Sequence, residues 1–303
     1  MMLSALYATN TKRSFWRKWA SKVMRIQEAL RWAISQLRSE DAQADAEILL
    51  CHVLQKPRAF LFTWPERPLS EAEQTHFETL LARRIKGEPV AYITGRRAFW
   101  NLELATHPST LIPRADTETL VSAVLETVPE QPLDIVDLGT GTGAIALALA
   151  SERPHWRVQG IDRLAETVRL AQQNAQHNGL AHVRFAQGDW CLGLVDHSVD
   201  VLVSNPPYIR TDDPHLQQGD VRFEPSSALT SGADGLDDIR AIINDAGRVL
   251  RAGGWLFLEH GYDQRDDVVL LMIDAGFEHL ETRKDLGRQD RVTFGNLPTA
   301  IKL

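Results

Sequence analysis

The sequence predicts an α/β protein in which a mostly parallel seven-stranded sheet with an antiparallel edge hairpin follows a small helical bundle and a β-hairpin linker. Three observations carry that prediction. After Pro132, short apolar runs alternate with helical stretches, the pattern of a parallel sheet covered on both faces. The chain then closes with two β runs that have no helix between them, which makes an antiparallel hairpin at the sheet edge. Before Gly87, apolar residues recur at three- and four-residue steps, the spacing of helices.

In chain order, Ile26, Leu30, Ala33, Ile34 and Leu37 mark one helix face, and Ala46, Leu49, Leu50, Val53 and Leu54 a second. Pro57 starts a short third segment that ends near Pro65. Ser70 followed by Glu73 is a capping-box start for a fourth helix carrying Phe77, Leu80, Leu81 and Ile85, which Gly87 and Pro89 end. Val90, Tyr92, Ile93, Phe99, Trp100, Leu102 and Leu104 read as short β pieces broken by Gly95 and Asn101. A helix is expected from Asp116 to Val128. The parallel strands are expected at Leu133–Leu138, Val158–Ile161, Val183–Ala186, Val199–Val203 and Trp255–Glu259, with helices near 144–152, 164–178 and 235–251 between them. Phe277–Thr282 and Arg291–Gly295 form the closing hairpin.

At roughly 150 residues per domain, 303 residues allow two domains. The expected divisions are a basic leader over 1–24, a helical substrate-recognition domain over 25–87, the hairpin linker over 88–115 and the sheet domain over 116–303. The leader holds Lys12, Arg13, Arg17, Lys18 and Lys22 with no acid and no apolar h-region, which excludes a secretory signal. It is read as a disordered tail or an upstream start, with Met24 the expected start, rather than as a transit peptide. Without those five cations the body carries 28 basic against 40 acidic residues, a balance that disfavours a long polyphosphate partner. Cys51 and Cys191 lie far apart, and the histidines are scattered, so a reducing cytoplasm and no metal are expected. No apolar run approaches the roughly 18 residues of a membrane span.

The first chemical signal is Asp137-Leu138-Gly139-Thr140-Gly141-Thr142-Gly143, directly after the first strand of the sheet and before a helix. Glycines let the backbone turn sharply and approach a ligand closely. Gly139, Gly141 and Ala144 also satisfy the dinucleotide fingerprint, and Asp162 ends the next strand about 20 residues on, where its carboxylate can take ribose hydroxyls. These features alone leave open a methyltransferase, a nicotinamide dehydrogenase or a tight βα turn with no ligand. Gly188-Asp189-Trp190 follows the third strand. There Asp189 can take an adenine amino group and Trp190 can cover the ring, although Asp189 alone reads as a cap or turn residue.

The fourth strand decides among them. Val201-Leu202-Val203-Ser204 runs into Asn205-Pro206-Pro207-Tyr208, and in an open parallel sheet ligands bind beyond the carboxyl ends of the strands. Two prolines stiffen the turn and donate no backbone hydrogen bond. What remains is the Asn205 side-chain oxygen and the Pro206 carbonyl as acceptors, with Tyr208 as an aromatic face. An amide or ring-attached amino nitrogen is a poor nucleophile because its lone pair is delocalised. Two acceptors holding its two hydrogens localise that pair toward a methyl sulfonium and stabilise the charge that develops on nitrogen. Tyr208 would stack on the planar acceptor. Asn before Pro is also a common turn signal, so the tetrapeptide gains its meaning from the glycine loop upstream.

With these motifs the chain resembles the protein-(glutamine) methyltransferases of the HemK/PrmC family, over roughly Met24 to Gly295. The resemblance includes Gly87-Glu88-Pro89 with Thr94-Gly95, Leu111-Ile112-Pro113-Arg114, the glycine loop, Asn205-Pro206-Pro207-Tyr208, Phe223-Glu224-Pro225 and Glu259-His260-Gly261. Ala115 stands where the family usually has proline, and the basic leader has no counterpart. The resemblance implies a Rossmann-like methyltransferase domain and S-adenosyl-L-methionine as cofactor. It implies as substrate the glutamine amide of the Gly-Gly-Gln motif in peptide chain release factors. Asn205, Pro206, Pro207 and Tyr208 would then be catalytic. Asp137, Gly139, Thr140, Gly141, Thr142, Gly143, Asp162, Asp189, Trp190 and Asn205 would contact the cofactor. Arg114 and Glu118 would flank the site, and residues 209 to 225 would face the substrate. A DNA or RNA adenine amino-methyltransferase needs the same tetrapeptide, but base flipping usually takes a basic cleft or an added domain. A cytoplasmic, monomeric enzyme without direct nucleic-acid or membrane partners is therefore expected.

Overall fold

Pro65, Arg67 and Met24 supply backbone carbonyls that tie the start of the helical region to the segment before its fourth helix. The computed structural model describes residues 23–39 and 41–299; the basic leader lies outside them except for Val23 and Met24. The chain divides into two units, Met1–Thr94 and Gly95–Leu303.

The first unit holds helices α1 (Ile26–Gln36), α2 (Ala42–Leu54), α3 (Arg58–Thr63), α4 (Glu71–Ile85) and α5 (Val90–Thr94). Their apolar stripes meet in one core that includes Ile26, Trp32, Leu49, Leu50, Phe77 and Leu81. The capping box at α4 is present: Glu73 N donates to Ser70 Oγ at 3.2 Å and Ser70 N to the Glu73 carboxylate at 2.7 Å. Arg84 on α4 bonds Asp45 on α2 at 2.7 Å, with both side chains largely buried. Val90, Tyr92 and Ile93, expected as β pieces, are helical instead. Pro89 presets a helical first turn, and its carbonyl accepts from the amides of both Tyr92 and Ile93 at 3.0 Å.

The second unit opens with a hairpin, β1 (Arg96–Phe99) and β2 (Leu102–Ala105), in which Phe99 pairs with Leu102 across a two-residue turn. Trp100 in that turn has φ of 55°, and its amide donates to Glu118 Oε1 at 2.9 Å. Helix α6 (Glu118–Thr127) leads to the sheet: β3 (Asp134–Leu138), α7 (Ala144–Glu152), β4 (Arg157–Asp162), α8 (Ala165–His177), β5 (Arg184–Gln187) and β6 (Val199–Ser204). It continues through α9 (Asp237–Val249), β7 (Leu250–Glu259), α10 (Arg265–Asp274), β8 (Glu278–Lys284) and β9 (Asp290–Asn296). The strand order is β5-β4-β3-β6-β7-β9-β8; β3 to β7 pair in parallel, and β9 runs antiparallel to both β7 and β8. The sheet is therefore the mostly parallel, seven-stranded one with an antiparallel edge hairpin.

Successive side chains enter opposite cores. Ile135, Val201, Val203 and Phe257 pack with α6, α7 and α8, while Val136, Leu138, Leu202 and Leu256 pack with α9 and α10. The helix expected to run to 251 stops at Val249, and β7 begins at Leu250, well before the expected Trp255. Gly253, with φ of 77°, lies in this early part of the strand, where the pairing with β6 shifts register. Asn174 on α8 bonds both the amide and the carbonyl of Ala105 and the carbonyl of Thr142, so it fastens the hairpin to the loop after β3. Among the described residues, no helix is long and apolar enough to cross a membrane.

Phe257 and Phe294 stack with ring centroids 4.8 Å apart, and both are buried. Phe257→Ala is expected to destabilise the sheet unit by about 3–5 kcal/mol, the usual cost of emptying a packed aromatic site. Urea unfolding followed by circular dichroism measures it, and a loss below about 1 kcal/mol would show that the site collapses around the smaller side chain.

Candidate functional site

The site lies where the strand order reverses between β3 and β6, beyond the carboxyl ends of the strands. A cleft of about 970 Å³, its open mouth included, is lined there by the loop after β3, the ends of β4 and β6 and the turn after β5. Of the residues singled out in the sequence, Gly139, Thr140, Gly141, Thr142, Asp162, Asp189, Trp190, Asn205 and Pro207 line it.

The glycines have separate reasons for being there. Gly139, Gly141 and Gly143 all have positive φ, at 70°, 56° and 84°. A Cβ on Gly139 would stand 3.0 Å from the Trp190 ring, so glycine lets the indole lie against the loop. Gly143 is the N-cap of α7, and a Cβ there would press on Ala171, Leu147 and Phe185 at 3.2 Å each. Asp162 accepts from Gly141 N at 3.1 Å and from Leu164 N at 3.0 Å, one bond on each oxygen. Burial raises its pKa, and the two backbone donors partly offset that. The carboxylate is thus aimed and held, with lone pairs left for a ligand hydroxyl.

Asp137 and Gly143 were expected to touch the cofactor, but neither lines the cleft. Asp137 is fully buried behind the loop: its Oδ2 accepts from Thr140 Oγ1 at 2.6 Å and from Ala146 N at 3.2 Å. It braces the loop against the first turn of α7, and burial pushes its pKa up to about 7.

The turn after β6 brings Asn205 and Pro207 to the cleft, while Pro206 and Tyr208 are not among its lining residues. Asn205 Nδ2 donates to Thr117 Oγ1 at 3.2 Å. The Tyr208 hydroxyl donates to Glu259 Oε1 at 3.3 Å, and burial raises the pKa of both groups, Glu259 to about 7. Tyr208 therefore holds the turn from the core side.

Arg114 lines the cleft and pairs with the buried Glu224, which also accepts from Ile112 N at 3.1 Å. Desolvation raises the pKa of Glu224, and Arg114 opposes that rise. Glu118 does not line the cleft; its carboxylate holds Trp100. The segment 209 to 225 holds two short 3-10 turns, and Ser227 and Ala228, in a third such turn just beyond it, wall the cleft. Arg163 donates to the Ser227 carbonyl at 3.1 Å. Sequence reasoning missed Thr117, Arg163 and Ser227, since no local pattern marks them.

Two family models match the chain: a PrmC N-terminal domain over residues 28–95 and a methyltransferase small domain over residues 115–221. The release factor glutamine methyltransferase of Escherichia coli K12 is 50% identical over 273 residues, covering 90% of this chain and 99% of that protein. The protein of the same name from Vibrio cholerae is 49% identical over 278 residues, covering 90% and 97%. A solved methyltransferase structure from Pyrococcus furiosus covers 74% of this chain and 100% of its own, with a TM-score of 0.51 at 18% identity, a likeness of fold.

The cofactor is S-adenosylmethionine, and the cradle fits it. Glycine opens the loop where a Cβ would strike Trp190, a carboxylate stands at the end of β4, and the indole lies against the loop. Asp162→Ala is expected to weaken S-adenosylmethionine binding by roughly 10- to 100-fold, from lost charged hydrogen bonds worth about 1.5–3 kcal/mol. Calorimetric titration measures it; an unchanged Kd would put the ribose elsewhere.

Proposed function

The chain belongs to the release factor glutamine methyltransferase family, and we propose that it methylates the side-chain amide nitrogen of the glutamine in the Gly-Gly-Gln motif of peptide chain release factors. The observation that carries this reading is the meeting of Asn205 and Pro207 with Gly139, Asp162 and Trp190 in one cleft. An amide-holding turn and a cofactor cradle share a single space. When bound, S-adenosylmethionine supplies an electrophilic methyl carbon on a sulfonium sulfur.

Gly139, Gly141, Asp162, Asp189 and Trp190 would hold that molecule. Asn205, which lines the cleft, would accept one hydrogen of the glutamine amide at Oδ1, and the carbonyl of Pro206, between the lining residues Asn205 and Pro207, would accept the other. Neither proline can place a competing N–H beside the acceptor. The held amide is planar, so fixing both hydrogens fixes the direction of the nitrogen lone pair, and proximity accounts for much of the rate. As the N–CH3 bond forms, the nitrogen gains positive charge, and the two oxygens stabilise it in place. The extra proton then leaves to solvent. Tyr208, held by its hydroxyl, keeps the turn in one conformation.

The acidic balance of the chain, a formal net charge of −7, supports a protein acceptor over a nucleic acid. The helical unit would carry substrate recognition, and a release factor would be met in the cytoplasm.

Asn205→Ala is expected to bind S-adenosylmethionine normally and lose methyl transfer by about 100-fold or more, the scale of one lost charge-stabilising group. Mixing the protein with a purified release factor and labelled cofactor, then locating the methyl group by mass spectrometry, tests both substrate and residue. A label on any residue but that glutamine would sink the reading.

A further inference from the structure

The strand order sets the direction in which a long ligand must lie. The cleft is lined by what leaves β5, β4, β3 and β6, and these strands stand in that order across the sheet. Asp189 and Trp190 follow β5, Asp162 ends β4, the glycine loop follows β3 and Asn205 follows β6. A ligand with its adenine at Trp190 and its ribose at Asp162 therefore carries its amino-acid end past the glycine loop toward the Asn205 turn. In S-adenosylmethionine that end bears a carboxylate and an ammonium group.

The charged residues that line the cleft are Asp162, Asp189, Asp238, Arg114 and Arg163. Arg163 follows Asp162 and donates to the Ser227 carbonyl at 3.1 Å, so it stands at the nucleoside end. Arg114 stands at the other end. Its carbonyl accepts from Thr117 N at 3.2 Å, and Thr117 Oγ1 accepts from Asn205 Nδ2 at 3.2 Å. Residues 114 to 117 thus form one turn laid against the Asn205 turn.

Arg114 is also held from behind. The Glu224 side chain is fully buried, whereas that of Arg114 is 33% exposed. One Glu224 oxygen accepts from Arg114 Nη2 and the other from Ile112 N at 3.1 Å. The carboxylate so fixes the main chain just before Arg114 and one corner of its guanidinium. A guanidinium has five N–H donors in a planar fork that fits a carboxylate two bonds at a time. Among the described residues Glu224 is its only side-chain hydrogen-bond partner, through Nη2, which leaves Nε and Nη1 for a ligand. Donors fixed in advance lose little freedom when the ligand arrives.

We propose that Arg114 binds the methionine carboxylate of S-adenosylmethionine and that Glu224 is the positioning residue that aims it. The proposal rests on the cofactor cradle and not on the identity of the nitrogen that receives the methyl group.

Calorimetric titration with S-adenosylmethionine and with its decarboxylated analogue isolates the carboxylate. The wild-type protein is expected to bind the analogue about 10- to 100-fold more weakly, the scale of a charged hydrogen-bonded pair. Arg114→Gln should weaken S-adenosylmethionine by that same factor and leave the Kd of the analogue near its wild-type value, so that the discrimination vanishes. That variant leaves Glu224 buried without its cation. Arg114→Gln combined with Glu224→Gln carries no such charge and gives the same result where the single variant does not fold. Glu224→Gln alone should lose part of the discrimination and, because it acts through Arg114, add nothing to Arg114→Gln. Equal wild-type affinities for the two ligands overturn the proposal, as does an Arg114→Gln variant whose Kd for S-adenosylmethionine is unchanged. A parallel loss for both ligands marks a general distortion of the cleft and overturns it too. An unchanged cofactor Kd with a raised KM for release factor would give Arg114 to the protein substrate instead. No release factor enters the titration, so its outcome stands apart from that of the amide reading.

Discussion

The register of the parallel strands is the constraint on which the site depends. Leu138 pairs with Ile161 on one side and with Ser204 on the other, Asp162 pairs with Gln187, and Ser204 with Leu258. Four loops therefore leave the sheet at one level and converge on one cleft. A slip of one residue would turn Val136, Leu138 and Leu202 away from the core they fill. Each such side chain is worth about 1.5–3 kcal/mol of burial, so a slip of one strand would cost much of a typical stability of about 5–15 kcal/mol. The alternation that holds the core thus also aims the chemistry, and no separate device is needed to assemble the site.

Inside that frame, buried carboxyls organise the loops from behind. Asp137 bonds Thr140 and Ala146 beneath the glycine loop, and Glu259 bonds Tyr208 beneath the Asn205 turn. Burial raises both pKa values to about 7. A carboxyl whose folded pKa lies above its unfolded value near about 4 stabilises the fold fully at low pH and loses that contribution as pH rises toward 7. Near neutrality the fold therefore carries the cost of ionising two buried groups. That cost is the signature of residues kept for geometry rather than for stability.

How much of this was legible in the sequence follows from how local each signal is. The five parallel strands announce themselves because each is a short apolar run between helical periods. Asp162, Trp190 and Asn205 could be placed because each sits at the end of such a run, and the positive-φ glycines because few other residues adopt that backbone. Val90–Thr94 misled because Val90, Tyr92 and Ile93 look like strand residues while Pro89 starts a helix. The start of β7 was hidden by its glycines, which read as a break. Thr117 escaped notice because its partner Asn205 is 88 residues away, and Glu224 lies 110 from Arg114. Asp137 reads as a ligand contact because the glycine loop begins beside it, whereas its side chain is buried beneath that loop and bonded to Thr140.

The arrangement also selects among nitrogens. Two oxygen acceptors would hold an ammonium group as readily as an amide, yet an ammonium has no lone pair and must first lose a proton to a base. Glu259 is buried beneath the turn, and its Oε1 accepts from the Tyr208 hydroxyl. Asp162 has both oxygens engaged by backbone amides. Glu259, engaged with Tyr208 beneath the turn, is not placed as a general base for a cation. A neutral NH2 group needs none: it arrives with its pair in place, delocalised, and asks only to be held flat and by its hydrogens. A turn made of one amide oxygen, one carbonyl and two prolines would suit a neutral planar NH2 group, amide or ring amino alike, because it offers acceptors and no competing backbone donor.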